Sequence, residues 1–193
     1  MKKIVLLIFL SLLSLSTSIN ALLIEGKFSY FRPDADVLRK IFPGWMPSYS
    51  IEVSNPIWKT IHIWGGVGYI SKHGHSLGDH QSTSIRIIPI TLGLEYLSEF
   101  SDWIKLYAGL GPRYFFVHVT NHSHFVHRTN SGNGLGGAFR GGGLICFNKH
   151  LVLDLFVDYS LKKIDFSGSS KTIKRHDLDL SGVSLGAGLG YQF

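Results

Sequence analysis

Reading backwards from the C-terminal Phe193, every second residue is apolar: Phe193, Tyr191, Leu189, Ala187, Leu185, Val183. Between them stand Gln192, Gly190, Gly188, Gly186, Ser184 and Gly182. Alternation of this length is the period of a β-strand, whose successive side chains point to opposite faces. A strand of a soluble core seldom couples a hydrocarbon face to one of glycine and serine. The pattern predicts a strand of a narrow closed barrel, with its apolar face against lipid and its small face toward a crowded interior.

The other end of the chain explains how such a strand could reach a membrane. Lys2 and Lys3 precede an apolar run from Ile4 to about Leu15, followed by Ser16-Thr17-Ser18-Ile19-Asn20-Ala21. These are the three parts of a secretory signal, with cleavage expected after Ala21. Serines at 11, 14 and 16 interrupt the run, which falls short of the roughly 20 apolar residues of a spanning helix. Residues 1–21 are therefore assigned to a signal peptide and 22–193 to one barrel domain. Losing Lys2 and Lys3 leaves 17 basic residues against 13 acidic and lowers the formal charge from +6 to +4, too moderate to suggest a nucleic-acid partner. Cys146, the only cysteine, can form no intramolecular disulfide.

Beyond the signal no 3.6-residue periodicity stands out. Eight strand-like segments do: Leu23 to Arg32, Ser48 to Ser54, Trp58 to Ile70, Ser84 to Leu97, Trp103 to Val119, Gly137 to Phe147, Leu151 to Leu161 and Leu178 to Phe193. Their connections alternate in length. Short turns fall at 55–57, 98–102 and 148–150, whereas 33–47, 71–83, 120–136 and 162–177 are longer and polar. An up-and-down barrel with an even strand count puts all its short turns at one end and all its long loops at the other. The expected fold is all-β, an eight-stranded antiparallel up-and-down transmembrane β-barrel. Pro89 and Pro112 fall inside two of these strands, where a closed barrel has no free edge to excuse a missing donor. Either bulges or shorter strands are expected there.

The apolar faces carry no charge. The opposite faces collect Glu25, Lys27, Glu52, Glu95, Lys105, Arg113, Arg140, Asp154 and Asp158, with His62: five acids and four bases, close to balance. In an eight-stranded barrel the interior has room only for side chains, and charges placed there must pair. An ion-pair plug is the expectation. Tyr96, Tyr191 and Phe193 lie near the short-turn ends of the apolar faces, while Tyr30, Tyr69, Tyr114, Phe116 and Tyr159 lie near the long-loop ends. Aromatic rows at both interfaces suit a membrane barrel.

The signal peptide, the eight alternating strands, the segment Leu106-Tyr107-Ala108-Gly109-Leu110-Gly111-Pro112-Arg113-Tyr114 and the terminal Gly190-Tyr191-Gln192-Phe193 together resemble the small eight-stranded outer-membrane barrels of Gram-negative-type bacteria, the OmpX, OmpW and opacity-protein type. The resemblance covers the whole mature chain. It implies an outer-membrane location, short turns in the periplasm and long loops outside. It also implies that Leu189, Tyr191 and Phe193 form the terminal signal read by the barrel-assembly machinery. Adhesins, small channels and lipid-modifying enzymes all use this fold, so the fold does not settle the activity.

The long loops suggest chemistry only weakly. His73, His75, His122 and His124 are candidate metal ligands, since imidazole is the commonest transition-metal ligand, but few acids and no cysteine accompany them. His122-Ser123-His124 and His73-Gly74-His75-Ser76 supply pieces of a nucleophile–base pair without matching a lipid hydrolase motif. Lys162, Lys163, Lys171, Lys174 and Arg175 in or beside the fourth long loop form a basic stretch suited to lipopolysaccharide phosphates or an anionic extracellular ligand. The reading that follows is a non-enzymatic barrel with no cofactor, a side-chain-plugged lumen and loops for structural or surface-interaction roles. A narrow channel for small or apolar solutes is the alternative, and a lipid A-modifying enzyme is less favoured.

Overall fold

Strands that are greasy outside and polar inside leave backbone groups to satisfy at both edges, and in lipid only closure satisfies them all. The structure, a computed structural model describing residues 22–75, 82–122, 127–164 and 178–193, has that closure. The signal segment lies outside the described residues. The barrel strands are β1 (Leu23–Pro33), β2 (Met46–Trp58), β3 (Ile61–His75), β4 (Ser82–Ser101), β5 (Ile104–His122), β6 (His127–Cys146), β7 (Leu151–Leu161) and β10 (Gly182–Gln192). Each pairs antiparallel with its neighbour in sequence, and β10 returns to β1 through Leu23↔Gln192 to Pro33↔Gly182. The expected eight-stranded up-and-down barrel is the observed one. A two-stranded ribbon, β8 (Lys163–Ile164) with β9 (Leu178–Asp179), stands beside it.

Three local expectations are corrected. The first long connection contains a short helix, α1 (Asp36–Ile41), which folds back over the barrel mouth. Its first-turn Asp36 accepts a hydrogen bond from Arg39, which holds that carboxyl below its ordinary value. Second, β6 begins at His127 rather than Gly137, because β5 offers it a backbone partner as far as His122↔His127. Third, neither proline causes a bulge. The β3–β4 ladder lapses opposite Pro89 between Val67↔Ile90 and Ile70↔Ile87, and the β4–β5 ladder lapses opposite Pro112 between Thr91↔Arg113 and Leu94↔Leu110. Both ladders resume in the same register, so a missing N–H costs ladder bonds without inserting a residue. The register shifts fall instead at Pro56/Trp58 and Glu99/Ser101, beside short turns.

The exterior carries the exposed hydrocarbon. Ile90, Leu92, Leu94 and Tyr96 on β4, Leu106 and Leu110 on β5, and Leu185, Leu189 and Tyr191 on β10 all point outward. Outward apolar positions on β5 run from Leu106 to Phe116, about 33 Å along the strand and about 25 Å once tilted by about 40°, the height of a bilayer-spanning band.

Candidate functional site

The interior is built in three layers. At the short-turn end Leu23, Leu97, Tyr107, Leu144 and Val152 pack together, joined by Cys146 and Phe156. At the long-loop end Phe31, Met46, Ile70, Ile85, Ile87, Phe115 and Val117 project inward. Leu38 and Phe42 of the α1 segment descend onto them, with Leu180 beside β9. The two apolar layers enclose a polar one.

Lys27 is the hub of that middle layer. Its Nζ lies 2.6 Å from Asp154 Oδ2, 2.9 Å from Glu52 Oε2 and 3.2 Å from Glu25 Oε2. Arg140 pairs with both Glu52 and Glu95 and stacks on Trp64, 3.7 Å from the ring centroid. The Tyr107 hydroxyl donates to Asp154 at 2.9 Å, and the Ser54 hydroxyl donates to Glu95 at 2.5 Å. Phe156, the one ring on the polar face of β7, lies under Lys27 at 4.9 Å. A second pair sits toward the long loops, where Arg113 meets Asp158 at 2.5 and 2.7 Å and donates to Thr91 and Ser160.

Two glycines let these pairs cross intervening strands. Gly188 of β10 lies level with Lys27 on one side and Asp154 on the other, and a Cβ there would come within 2.7 Å of Lys27 Cγ. Gly109 of β5 stands in the same relation to Glu95 and Arg140, with a Cβ–Cβ approach of 2.9 Å to Glu95. The glycine face of the last strand is therefore space for ion pairs on its neighbours.

Not every charge on the polar faces joins this layer. Lys105 points toward the short-turn mouth and meets Glu99 at 3.2 Å, both partly solvated. Without Lys105 the inner set is five acids, Glu25, Glu52, Glu95, Asp154 and Asp158, against three bases, Lys27, Arg113 and Arg140. The near balance counted from the sequence is thus replaced by an acidic excess. His62 lies alongside, 3.5 Å from the Ser54 hydroxyl. Between the Arg113 pair and the apolar upper layer is a cavity of about 50 Å³ lined by Ser29, Ser48, Ser160 and Ser184 below and by Phe31 and Phe115 above.

The remaining sequence candidates lie apart. Leu189, Tyr191 and Phe193 all face outward; Phe193 N–H donates to Leu22 O, and Tyr191 stacks on His150 and meets Phe193 edge-on. His73 is exposed on the outer wall of β3, whereas the side chains of His75 and His122, and all of His124, lie outside the described residues. Among the described residues no group of three metal-type ligands converges. Lys162 N–H donates to the Ser181 hydroxyl and Lys163 belongs to β8, while Lys171, Lys174 and Arg175 lie outside the described residues. The inward apolar positions Ile85, Ile87, Phe115 and Val117 escaped the sequence analysis, although the closely spaced Ile85, Ile87, Ile88 and Ile90 already signalled a strand segment with isoleucine on both faces.

No protein-family model and no curated protein matches the chain. Solved structures do match its fold. OprG from Pseudomonas aeruginosa, an outer membrane protein, aligns at 17% identity and a TM-score of 0.65 over 90% of this chain and 96% of that one. The outer membrane protein AlkL aligns at 14% identity and a TM-score of 0.60 over 90% of each chain. Ail, the attachment invasion locus protein of Yersinia pestis, solved with the heparin analogue sucrose octasulfate, aligns at 16% identity and a TM-score of 0.56 over 90% and 97%. The likeness is that of small eight-stranded outer-membrane barrels.

Proposed function

We propose that the mature chain is an integral bacterial outer-membrane β-barrel that works through its outer wall and long loops, with a lumen closed to conduction and no catalytic role. The observation that carries this reading is Lys27, shared by three carboxylates at the centre of a polar layer sealed above and below by apolar side chains. Buried charges fixed this way leave no hydrated path, because an ion entering would have to displace partners already paired with one another. The signal-like N-terminus and the uninterrupted outward hydrocarbon support export and insertion. Lipopolysaccharide is the expected surrounding lipid, and the basic residues Lys162, Lys163, Lys171, Lys174 and Arg175 suit an anionic extracellular ligand.

Recording from planar bilayers tests the closed lumen: a flat trace is expected, and discrete conductance steps overturn it. Mass spectrometry of lipid A from cells with and without the protein is expected to give one acyl pattern; a changed pattern would revive the enzyme reading. The terminal Leu189, Tyr191 and Phe193 are proposed as the assembly signal. Deleting Phe193 is expected to reduce the membrane-inserted fraction, and undiminished insertion would remove that role.

One observation favours a second reading, passage of small apolar solutes: the upper layer of the lumen is hydrocarbon and borders the 50 Å³ cavity. Uptake of a short-chain apolar solute into liposomes carrying the protein, above that of empty liposomes, would establish it.

A further inference from the structure

Three cross-strand rows lie on the outward wall where β3, β4 and β5 reach the long-loop end. The first, Tyr69, Ile88 and Phe116, is the upper edge of the apolar band, with Phe116 edge-on to Tyr114 at 5.0 Å. In the next, Arg86 of β4 stands directly between Ser71 of β3 and His118 of β5. In the third, Ser84 stands between His73 and Thr120. Directly opposite residues on one face have Cβ atoms about 5 Å apart and diagonal ones about 7 Å. His118 therefore stands directly opposite Arg86, and His73 stands diagonal to it, on the same outward face.

Arg86 is exposed and has no ion-pair partner among the described residues. From the Tyr69–Ile88–Phe116 row outward, these three strands carry no acidic residue on their outward face. The patch is thus a set of donors: one guanidinium fork, two imidazoles and the hydroxyls of Ser71 and Thr120. A guanidinium beside two imidazoles opposes a metal cation. It suits a tetrahedral anion that accepts several hydrogen bonds at once.

We propose that Arg86, with His118 opposite and His73 diagonal to it, binds the phosphate of an outer-leaflet glycolipid headgroup against the barrel wall. The lipid source follows from height. One residue pair beyond the aromatic row is about 6–7 Å along the strand, which is headgroup depth for a lipid whose chains lie on Ile88, Ile90 and Phe116. This site rests on the outer-membrane reading and is separate from the basic stretch in the fourth long loop, adding a place where the wall orders its own lipid.

Native mass spectrometry of the refolded full chain, titrated with bisphosphorylated lipid A, reads the site directly. Wild type is expected to retain the lipid, and Arg86→Gln to bind it about fivefold more weakly, the effect of one basic side chain at a membrane surface. Arg86→Lys is expected to keep part of the affinity. Arg32→Gln, an equal charge loss on the β1 wall, is expected to leave it near wild type. Equal retention by Arg86→Gln, equal retention of lipid A stripped of its phosphates, or displacement by millimolar inorganic phosphate would each overturn the proposal, the last by assigning the site to free phosphate. All variants are first checked for the heat-dependent gel shift of a folded barrel. Failure of wild type to insert into bilayers would sink the outer-membrane reading itself, whereas normal insertion with unaltered lipid retention sinks only this site.

Discussion

Lys27 is the residue on which the interior turns. Its ammonium is almost fully buried and serves Glu25, Glu52 and Asp154 at once, so removing it leaves Glu25 without a cation, Asp154 with only the Tyr107 hydroxyl and Glu52 with only Arg140. Breaking a buried pair from one side costs about 3–5 kcal/mol, and Lys27→Met is expected to lower the unfolding free energy in urea by that order. Glu25 is the contrasting partner. One of its oxygens, Oε1, has no hydrogen-bond partner among the described residues, and the inner set already holds more acids than bases. Glu25→Gln, which removes a charge and keeps the shape, is therefore expected to leave the urea midpoint unchanged or to raise it. A large loss of stability in that variant would mean that the acidic excess is balanced by something these residues do not supply.

At the scale of the strand, β10 ties the alternation to the plug. Its outward Ala187 faces lipid, while its inward Gly188 is the gap across which Lys27 reaches Asp154. Valine at the two positions should behave oppositely. Gly188→Val forces Lys27 aside and is expected to cost about 1–3 kcal/mol, as overpacking does, whereas Ala187→Val adds a methyl-rich side chain to a lipid-facing surface and is expected to be neutral. Equal urea midpoints for the two variants would deny the glycine its role. The strands were legible because a band of alternate outward positions on each is hydrocarbon without charge, as at Ile88, Ile90, Leu92, Leu94 and Tyr96 of β4. The α1 segment was not, because a six-residue helix offers under two turns of periodicity and buries only Leu38. The first ten residues of β6, His127 to Gly136, were missed for another reason: polar and glycine-rich, they are held by backbone pairing to β5 and carry no side-chain pattern. Helix α1 yields its own test. Leu38 seats it in the upper layer, and Leu38→Ala should remove about 2–5 kcal/mol of packing from an element whose attachment is local. Limited proteolysis is expected to cut residues 34–45 faster while the heat-dependent gel shift stays at wild-type temperature; unchanged cutting would mean that the helix is held by contacts other than Leu38.

For the whole molecule, the closed lumen proposed above makes the three layers seals in series. Strand count sets a lumen that side chains can fill, and the sequence fills it differently along its height: Leu23, Leu97, Leu144 and Val152 below, the Lys27 and Arg140 pairs in the middle, and the α1 side chains over Ile85, Ile87, Phe115 and Val117 above. Permeation through barriers in series is limited by the tightest one, so opening any single layer leaves the others in control. Replacing residues 36–42 by a flexible Gly-Ser segment is therefore expected to expose the upper cavity to solvent without producing conductance, and adding Lys27→Ala is expected to loosen the middle while Leu23, Leu97 and Leu144 still close the short-turn end. Conductance steps are expected only when that last apolar layer is also trimmed, for example by Leu97→Ala with Leu144→Ala in the same chain. Steps from the helix replacement alone would show the lower two layers to be leaky and would return the molecule to the narrow-channel reading, with α1 closing its mouth.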